Sequence, residues 1–191
     1  MMTARCMGPV SAFFFVASIA VAGCTQDSDA YAPPSKGDDD DTGTTLDEPV
    51  QVLRVIDGDT LEVELDGVVE FVRMKGINAP ELHPDPPGSP AQPFATEAKD
   101  YVFATVGTQV ELEWNSDCKS DPLDDCRDPF DRLLAFVRLA NGADLGALLL
   151  ERGLVRVYRT PSGTITAFDR KTEYLALEAA AQAGNLGIWS E

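Results

Sequence analysis

Apolar and polar residues alternate with a period of two along "VQVLRVI" (Val50–Ile56), "TLEVEL" (Thr60–Leu65) and "VVEFVRMKGI" (Val68–Ile77). Successive strand side chains point to opposite faces, so the pattern predicts three strands, each with one face turned to a core. Asp66-Gly67 stands between the second and third, and this dipeptide suits a tight hairpin turn. After the Pro-rich run "HPDPPGSP" (His83–Pro90) the period lengthens, and Phe94, Ala98, Tyr101 and Val102 share one face of a helix over residues 93–104. "TQVELEW" (Thr108–Trp114) and "RLLAFVRLA" (Arg132–Ala140) predict two more strands, joined by an acidic loop. Beyond the Asn141-Gly142 turn, "DLGALLLERG" predicts a short helix capped by Asp144 and stopped by Gly153. "LVRVY" (Leu154–Tyr158) predicts a short strand, and residues 166–183 a last helix before "GNLGIW" closes the chain.

Five strands in a meander-like order, with helices after the third and the fifth, give an α+β domain compatible with a five-stranded OB-type β-barrel and about three helices. A chain of 191 residues holds one sizeable core but hardly two, so residues 49–191 are expected to be a single domain.

The first 48 residues have a different composition. Arg5 and the apolar run "AFFFVASIAVA" (Ala12–Ala22) predict an export signal, since eleven apolar residues are too few to span a bilayer as a helix. Two cleavage readings compete. "VAGC" (Val21–Cys24) resembles the bacterial lipobox, in which Cys24 is lipidated and becomes the new N-terminus of a chain whose signal is residues 1–23. "AVA" (Ala20–Ala22) suits ordinary signal peptidase and a secreted product instead. Of the four cysteines, losing Cys6 with the signal and lipidating Cys24 leaves Cys118 and Cys126 as an even pair, which favours the lipoprotein. Thr25 after the cysteine, with no Asp there, suits the outer membrane of a Gram-negative envelope. Residues 24–48, with "GDDDDTGTT" (Gly37–Thr45), are too polar to offset the cost of ordering and predict a disordered acidic tether.

The net charge is −17, and from Pro49 onward 13 Lys and Arg against 24 Asp and Glu still leave −11. This excludes a protein that clings to nucleic acid through a basic surface. Any polyanion must be met locally. Cys118 and Cys126 flank seven residues in the acidic loop. In an exported chain they read as a disulfide, because a zinc site needs two further ligands and none is spaced for it.

The segments "VIDGDTLEV", "VRMKGINAPE", "DPFDRLLAFV", "LLERGLVRVY" and "AGNLGIWSE" occur in the order and spacing of the staphylococcal nuclease (thermonuclease) family, which the chain resembles over nearly all of Val50–Glu191. The resemblance implies an OB barrel with three helices and a calcium-dependent endonuclease that hydrolyses DNA and RNA phosphodiesters as a monomer. It further implies that Asp59, Asn78 and the backbone carbonyl of Ala79 bind Ca2+, that Arg73 and Arg132 clamp the phosphate, and that Glu81 acts as general base or orients the attacking water. Tyr158 would contact a nucleotide.

Taken one by one, the same residues have plainer readings: "DGD" as a turn, each arginine as a surface ion pair, Glu81 as a loop acid. Together they supply what phosphodiester hydrolysis needs, namely charge neutralisation and a placed base. His83, the only histidine, takes no role. The chain departs from the family pattern at Phe130 and Asp131, where a tyrosine and a glycine often stand, and at Asn78, where the pattern has an acid. A neutral ligand at 78 predicts weak calcium binding. It also keeps open a second reading, a non-catalytic OB-type module that binds nucleic acid or protein.

Overall fold

The computed structural model describes residues 48–118 and 122–190. The predicted signal, lipobox at Cys24 and most of the tether lie outside the described residues. Strands β1 (Val50–Val55), β2 (Thr60–Leu65), β3 (Val68–Met74), β5 (Gln109–Glu113) and β6 (Leu133–Arg138) form a closed barrel in the order β1-β2-β3-β6-β5. The domain is the α+β, OB-type barrel that the alternation predicts. Val55, Leu61, Val63, Val72, Leu112, Leu133 and Ala135 point into its core. Asp66 and Gly67, with φ of 52° and 78°, make the β2–β3 hairpin turn in the left-handed geometry that matches strand twist.

The expected meander is corrected. After β3 the chain leaves the barrel through β4 (Ile77–Asn78) and α1 (Ala95–Thr105), returns as β5 against the far side of β1, and only then forms β6. β6 therefore lies parallel to β3, pairing Val72 with Leu133 and Arg73 with Leu134. A parallel neighbour requires such a crossover, which no local pattern reveals.

The strand expected over Val68–Ile77 is two strands broken at Lys75-Gly76. Gly76 has φ 82°, and a side chain there would run into the Phe168 ring. β4 then pairs with β7 (Arg156–Val157) in a separate two-stranded sheet, setting Asn78 opposite Arg156. Helix α1 buries Ala95, Ala98 and Val102, while Phe94 is not on the helix face but precedes it with φ 66°. Its packing explains Gly58: a Cβ there would lie 2.7 Å from the Ala98 Cβ and 2.8 Å from the Ala79 Cβ.

The acidic loop contains one short helix, α2 (Pro122–Asp125), not foreseen from sequence, and Cys118 and Cys126 are joined in a disulfide. α3 (Leu145–Glu151) is capped as expected by Asp144, which accepts from the Gly146 and Ala147 N–H groups. α4 spans Lys171–Ala183, starting later than the predicted residue 166, and buries Tyr174, Glu178 and Ala181. A single 3-10 turn (Gly187–Trp189) follows and is tied back by the Ile188 N–H to the Gly153 carbonyl at 2.9 Å. No helix among the described residues is long and apolar enough to cross a membrane.

Candidate active site

Pairing in the barrel brings separate segments of the sequence to one end. Thr60 pairs with Arg73 across β2–β3, so the residue before it, Asp59, reaches the same arginine. Because β3 and β6 run parallel, Arg132 at the entry to β6 stands beside the end of β3 that carries Arg73. β4 adds Asn78, and the chain after β7 adds Tyr158, whose N–H donates to the Gly76 carbonyl at 2.8 Å. Together with Asp57 and Glu81 these residues line one open cleft of about 460 Å3, with Phe130 and Phe168 among its apolar walls.

Asp59 is the most buried group of the set, 4% exposed. Its Oδ2 accepts the Ala79 N–H at 2.5 Å and is ion-paired with Arg73, and its Oδ1 accepts the Thr60 hydroxyl at 3.1 Å. Burial pushes its carboxyl up to about 7, Arg73 pulls against this, and neighbouring Asp57 adds to the rise. Asp57 folds its Oδ1 back to accept the Asp59 N–H at 3.1 Å, which fixes the tight turn between β1 and β2. Arg73 also donates to the Asn78 amide oxygen at 2.8 Å, while the Asn78 amide nitrogen donates to the Ala79 carbonyl at 3.3 Å.

Arg132 is held by its own loop. It donates through Nε to Asp128 Oδ2 at 2.7 Å and lies 5.6 Å from the ring of Phe130, itself 80% exposed. Asp128 Oδ1 accepts the N–H groups of Phe130 and Arg132 at 2.8 and 3.0 Å. Burial pushes the Asp128 carboxyl up, but these bonds and the guanidinium outweigh it and hold it below the usual carboxylate range. Glu81 is exposed. Its backbone N–H donates to Gln92 Oε1 at 3.0 Å, and its carboxylate has no hydrogen-bond or ion-pair partner among the described residues.

Of the residues singled out in the sequence, Asp59, Arg73, Asn78, Glu81, Arg132 and Tyr158 thus share the cleft. Ala79 is 3% exposed and lines not the cleft but a smaller hollow next to it, and its carbonyl accepts from the Asn78 amide nitrogen. His83 is exposed on the Pro-rich loop and does not line the cleft. Sequence reading missed Asp57 and Asp128. Both were accessible as acids two residues before a backbone N–H in a turn, the pattern in which a short carboxylate folds back on its own chain.

Among the described residues no group of three or more His, Cys, Asp or Glu side chains could hold a metal by itself. The donors at hand are the carboxylates of Asp57 and Asp59, the Asn78 amide oxygen and the Ala79 carbonyl, an all-oxygen set that suits a hard cation such as Ca2+. A buried carboxylate driven toward its neutral form by burial and by a second acid is one that a divalent cation would hold charged. The residues fit the ion.

The barrel and cleft define an OB-type protein with an acid–arginine site at one end. Residues 71–191 match the family described as staphylococcal nuclease homologue, and the chain belongs to that family. It is 36% identical over 107 residues to a thermonuclease of Staphylococcus hyicus, a match covering 56% of this chain and 57% of the relative. It is 34% identical over 141 residues to a thermonuclease of Staphylococcus intermedius, covering 72% and 74%. To endonuclease YncB of Bacillus subtilis it is 30% identical over 167 residues, covering 85% and 68%.

Proposed function

We propose that this protein is an exported, lipid-anchored, calcium-dependent nuclease that hydrolyses phosphodiester bonds of DNA, RNA or both. The observation that carries the reading is the convergence of Asp57, Asp59, Arg73, Glu81 and Arg132 on one open cleft. Membership of a family whose relatives include proteins named thermonuclease and endonuclease supports it. Export and the anchor rest on the N-terminal sequence, with lipidation at Cys24.

In this reading Asp59, the Asn78 amide oxygen and the Ala79 carbonyl would hold Ca2+, with Asp57 beside them, and a bound ion would supply positive charge to offset that of the phosphate oxygens. Arg73 and Arg132, at the ends of adjacent strands, grip the non-bridging oxygens through planar guanidinium groups that stay charged throughout. Each first exchanges a partner: Arg73 is shared between Asp59 and Asn78, and Arg132 sits on Asp128. A phosphodiester replacing those contacts meets donors already oriented, which is the arrangement that lowers a barrier most. Glu81, with its free carboxylate on the cleft wall, accepts a proton from the attacking water or aligns it.

The binding-module alternative draws on one observation, that Asn78 is neutral and its amide oxygen is already engaged by Arg73. One experiment separates the two readings. Single-stranded DNA, duplex DNA and RNA are incubated with the mature protein over a calcium series and with a chelator. Calcium-dependent cleavage of any of them is expected, and its absence at all calcium concentrations, with binding retained, would establish the binding module instead.

A further inference from the structure

Beside the catalytic cleft, on the other side of Asn78, lies a second hollow of about 240 Å3. Asn78 lines both cavities, so the two share a wall. Pro93, Phe94 and Ile188 give the hollow an apolar floor, and Arg156 gives it a charge. Gln92, also on its wall, accepts the Glu81 backbone N–H at 3.0 Å, so the hollow abuts the segment that carries the water-activating acid.

Arg156 is unusual for this chain. The described residues include nine arginines. Seven of them, Arg54, Arg73, Arg127, Arg132, Arg138, Arg159 and Arg170, are paired with carboxylates. The two without a carboxylate are Arg152 and Arg156, and both lie over aromatic rings, 4.5 Å from Tyr101 and 4.7 Å from Trp189. They bracket Gly153, whose carbonyl holds the Ile188 N–H at 2.9 Å, so both flank the segment that floors the hollow. In a chain of net charge −17, where seven of the nine described arginines are paired with carboxylates, an exposed guanidinium resting 4.7 Å from an indole ring keeps its donors for an anion from solution.

Resting on the nuclease reading above, we infer that this hollow is a second subsite for the same nucleic-acid strand. Arg156 holds a backbone phosphate one or more nucleotides away from the scissile bond, and Phe94 and Ile188 support the sugar or base that accompanies it. The subsite gives an acidic protein a local hold on a polyanion. It also predicts that affinity rises with strand length, because only a strand longer than the cleft reaches Arg156.

The test uses the mature protein, calcium, and two fluorescein-labelled single-stranded DNA probes, a dinucleotide and an oligonucleotide of about twelve nucleotides, long enough to fill an OB-type site, each with a cleavage-resistant phosphorothioate backbone for binding and unmodified for cleavage. Binding is followed by anisotropy over a salt series. Arg156→Gln is expected to weaken the longer probe about tenfold relative to the dinucleotide, as for loss of one charge-assisted phosphate contact. The slope of log affinity against log salt for the longer probe should become shallower by about 0.7, the value for one phosphate on a single strand. Arg156→Lys should keep that slope, which a purely structural role of the Trp189 stack would not explain. Equal weakening of both probes would place Arg156 in the cleft itself and overturn the subsite, as would an unchanged slope and affinity for the longer probe. If the wild-type protein neither binds nor cleaves either probe, the nuclease reading fails first and this inference with it. Cleavage and binding by the wild type with an unaltered Arg156→Gln would sink the subsite alone.

Discussion

The barrel carries two clusters of acids and arginines, joined by strand β6: Arg132 stands just before its first residue and Arg138 is its last. In the cluster around Arg138, every charge has an opposite. Glu113 accepts from Arg138 at 3.3 Å and pairs with Arg170 at 2.5 Å, and Asp144 receives Arg170 and the Tyr174 hydroxyl at 2.5 and 2.7 Å while capping α3. Arg170 also lies 4.4 Å over the Phe136 ring. Burial works against its charge, but Asp144 and Glu113 more than offset this and hold the guanidinium protonated more firmly than usual. In the cleft the balance stays open. Asp59 is driven up to about 7 by burial against a single arginine, with a second acid beside it and about 460 Å3 of cavity in front. The residue types are the same, and the difference lies in whether the protein itself completes the pairing. Where it does, the cluster is scaffold; where it does not, the cluster is left open to a ligand.

The largest expected effect breaks the open cluster. Arg73→Ala, Arg132→Ala and Glu81→Gln should each lower turnover by about two to four orders of magnitude, the range for removing an oriented charge or a general base. Their folds should survive. Arg73→Ala in particular leaves Asp59 able to take up a proton, so no buried charge is stranded. Steady-state cleavage assays alongside circular dichroism check both halves, and near-normal turnover in Arg132→Ala would show that the clamp role does not belong to that residue.

The closed cluster should respond in the opposite sense. Arg170→Met removes the shared cation and leaves Glu113 and Asp144 short of a partner, at an expected cost of about 3–5 kcal/mol. Urea denaturation measures it. If Arg73→Ala shifts the urea midpoint as far as Arg170→Met does, the contrast between the clusters is wrong.

How much of this was legible in the sequence depends on how local each cause is. Period-two alternation marked the first three barrel strands and short apolar runs the other two, and Asp66-Gly67 and Asp144 marked a turn and a cap through their own chemistry. Strand order was not legible, because the parallel β3–β6 pairing depends on where the crossover through α1 returns the chain. The break at Gly76 was hidden for a similar reason: it follows from the Phe168 ring, distant in sequence. Residues 166–170 do not continue α4 because they are spent elsewhere, with Phe168 buried and Asp169 accepting from the Ser116 N–H and hydroxyl at 2.6 and 2.5 Å. In the site, a family resemblance named most of the residues that share the cleft. It did not reveal that Arg73 is spoken for by Asp59 and Asn78, contacts set by the β2–β3 register and by the turn at Gly76 that separates β3 from β4.

A smaller effect sharpens the comparison at position 78. Asn78→Asp adds one negative charge to the open cluster, and affinity in oxygen-ligand sites follows charge count. The calcium concentration for half-maximal cleavage should fall by about tenfold. The Arg73 contact to Oδ1 at 2.8 Å opposes the gain only in part, since a carboxylate offers a second oxygen. Equal midpoints for the two proteins in calcium titrations would mean that position 78 is not a ligand.

The smallest effect concerns the closed cluster at high pH. Burial first, then the charge and hydrogen bond of Asp144, push the Tyr174 phenol well above its ordinary value, with Arg170 pulling the other way. An unfolded chain would ionise this tyrosine near pH 10, about the free value. The folded chain therefore holds a proton there that the unfolded chain has lost, so stability is full below that pH and declines as pH rises above it. One of the four tyrosines should fail to ionise in near-ultraviolet absorbance until the domain unfolds. Tyr174→Phe should abolish that late step and flatten the alkaline decline, at a cost near neutral pH of about 1 kcal/mol for the lost hydrogen bond. A late-ionising phenol that persists in Tyr174→Phe would show that the protected group lies elsewhere, and that the closed cluster is less sealed than its pairing implies.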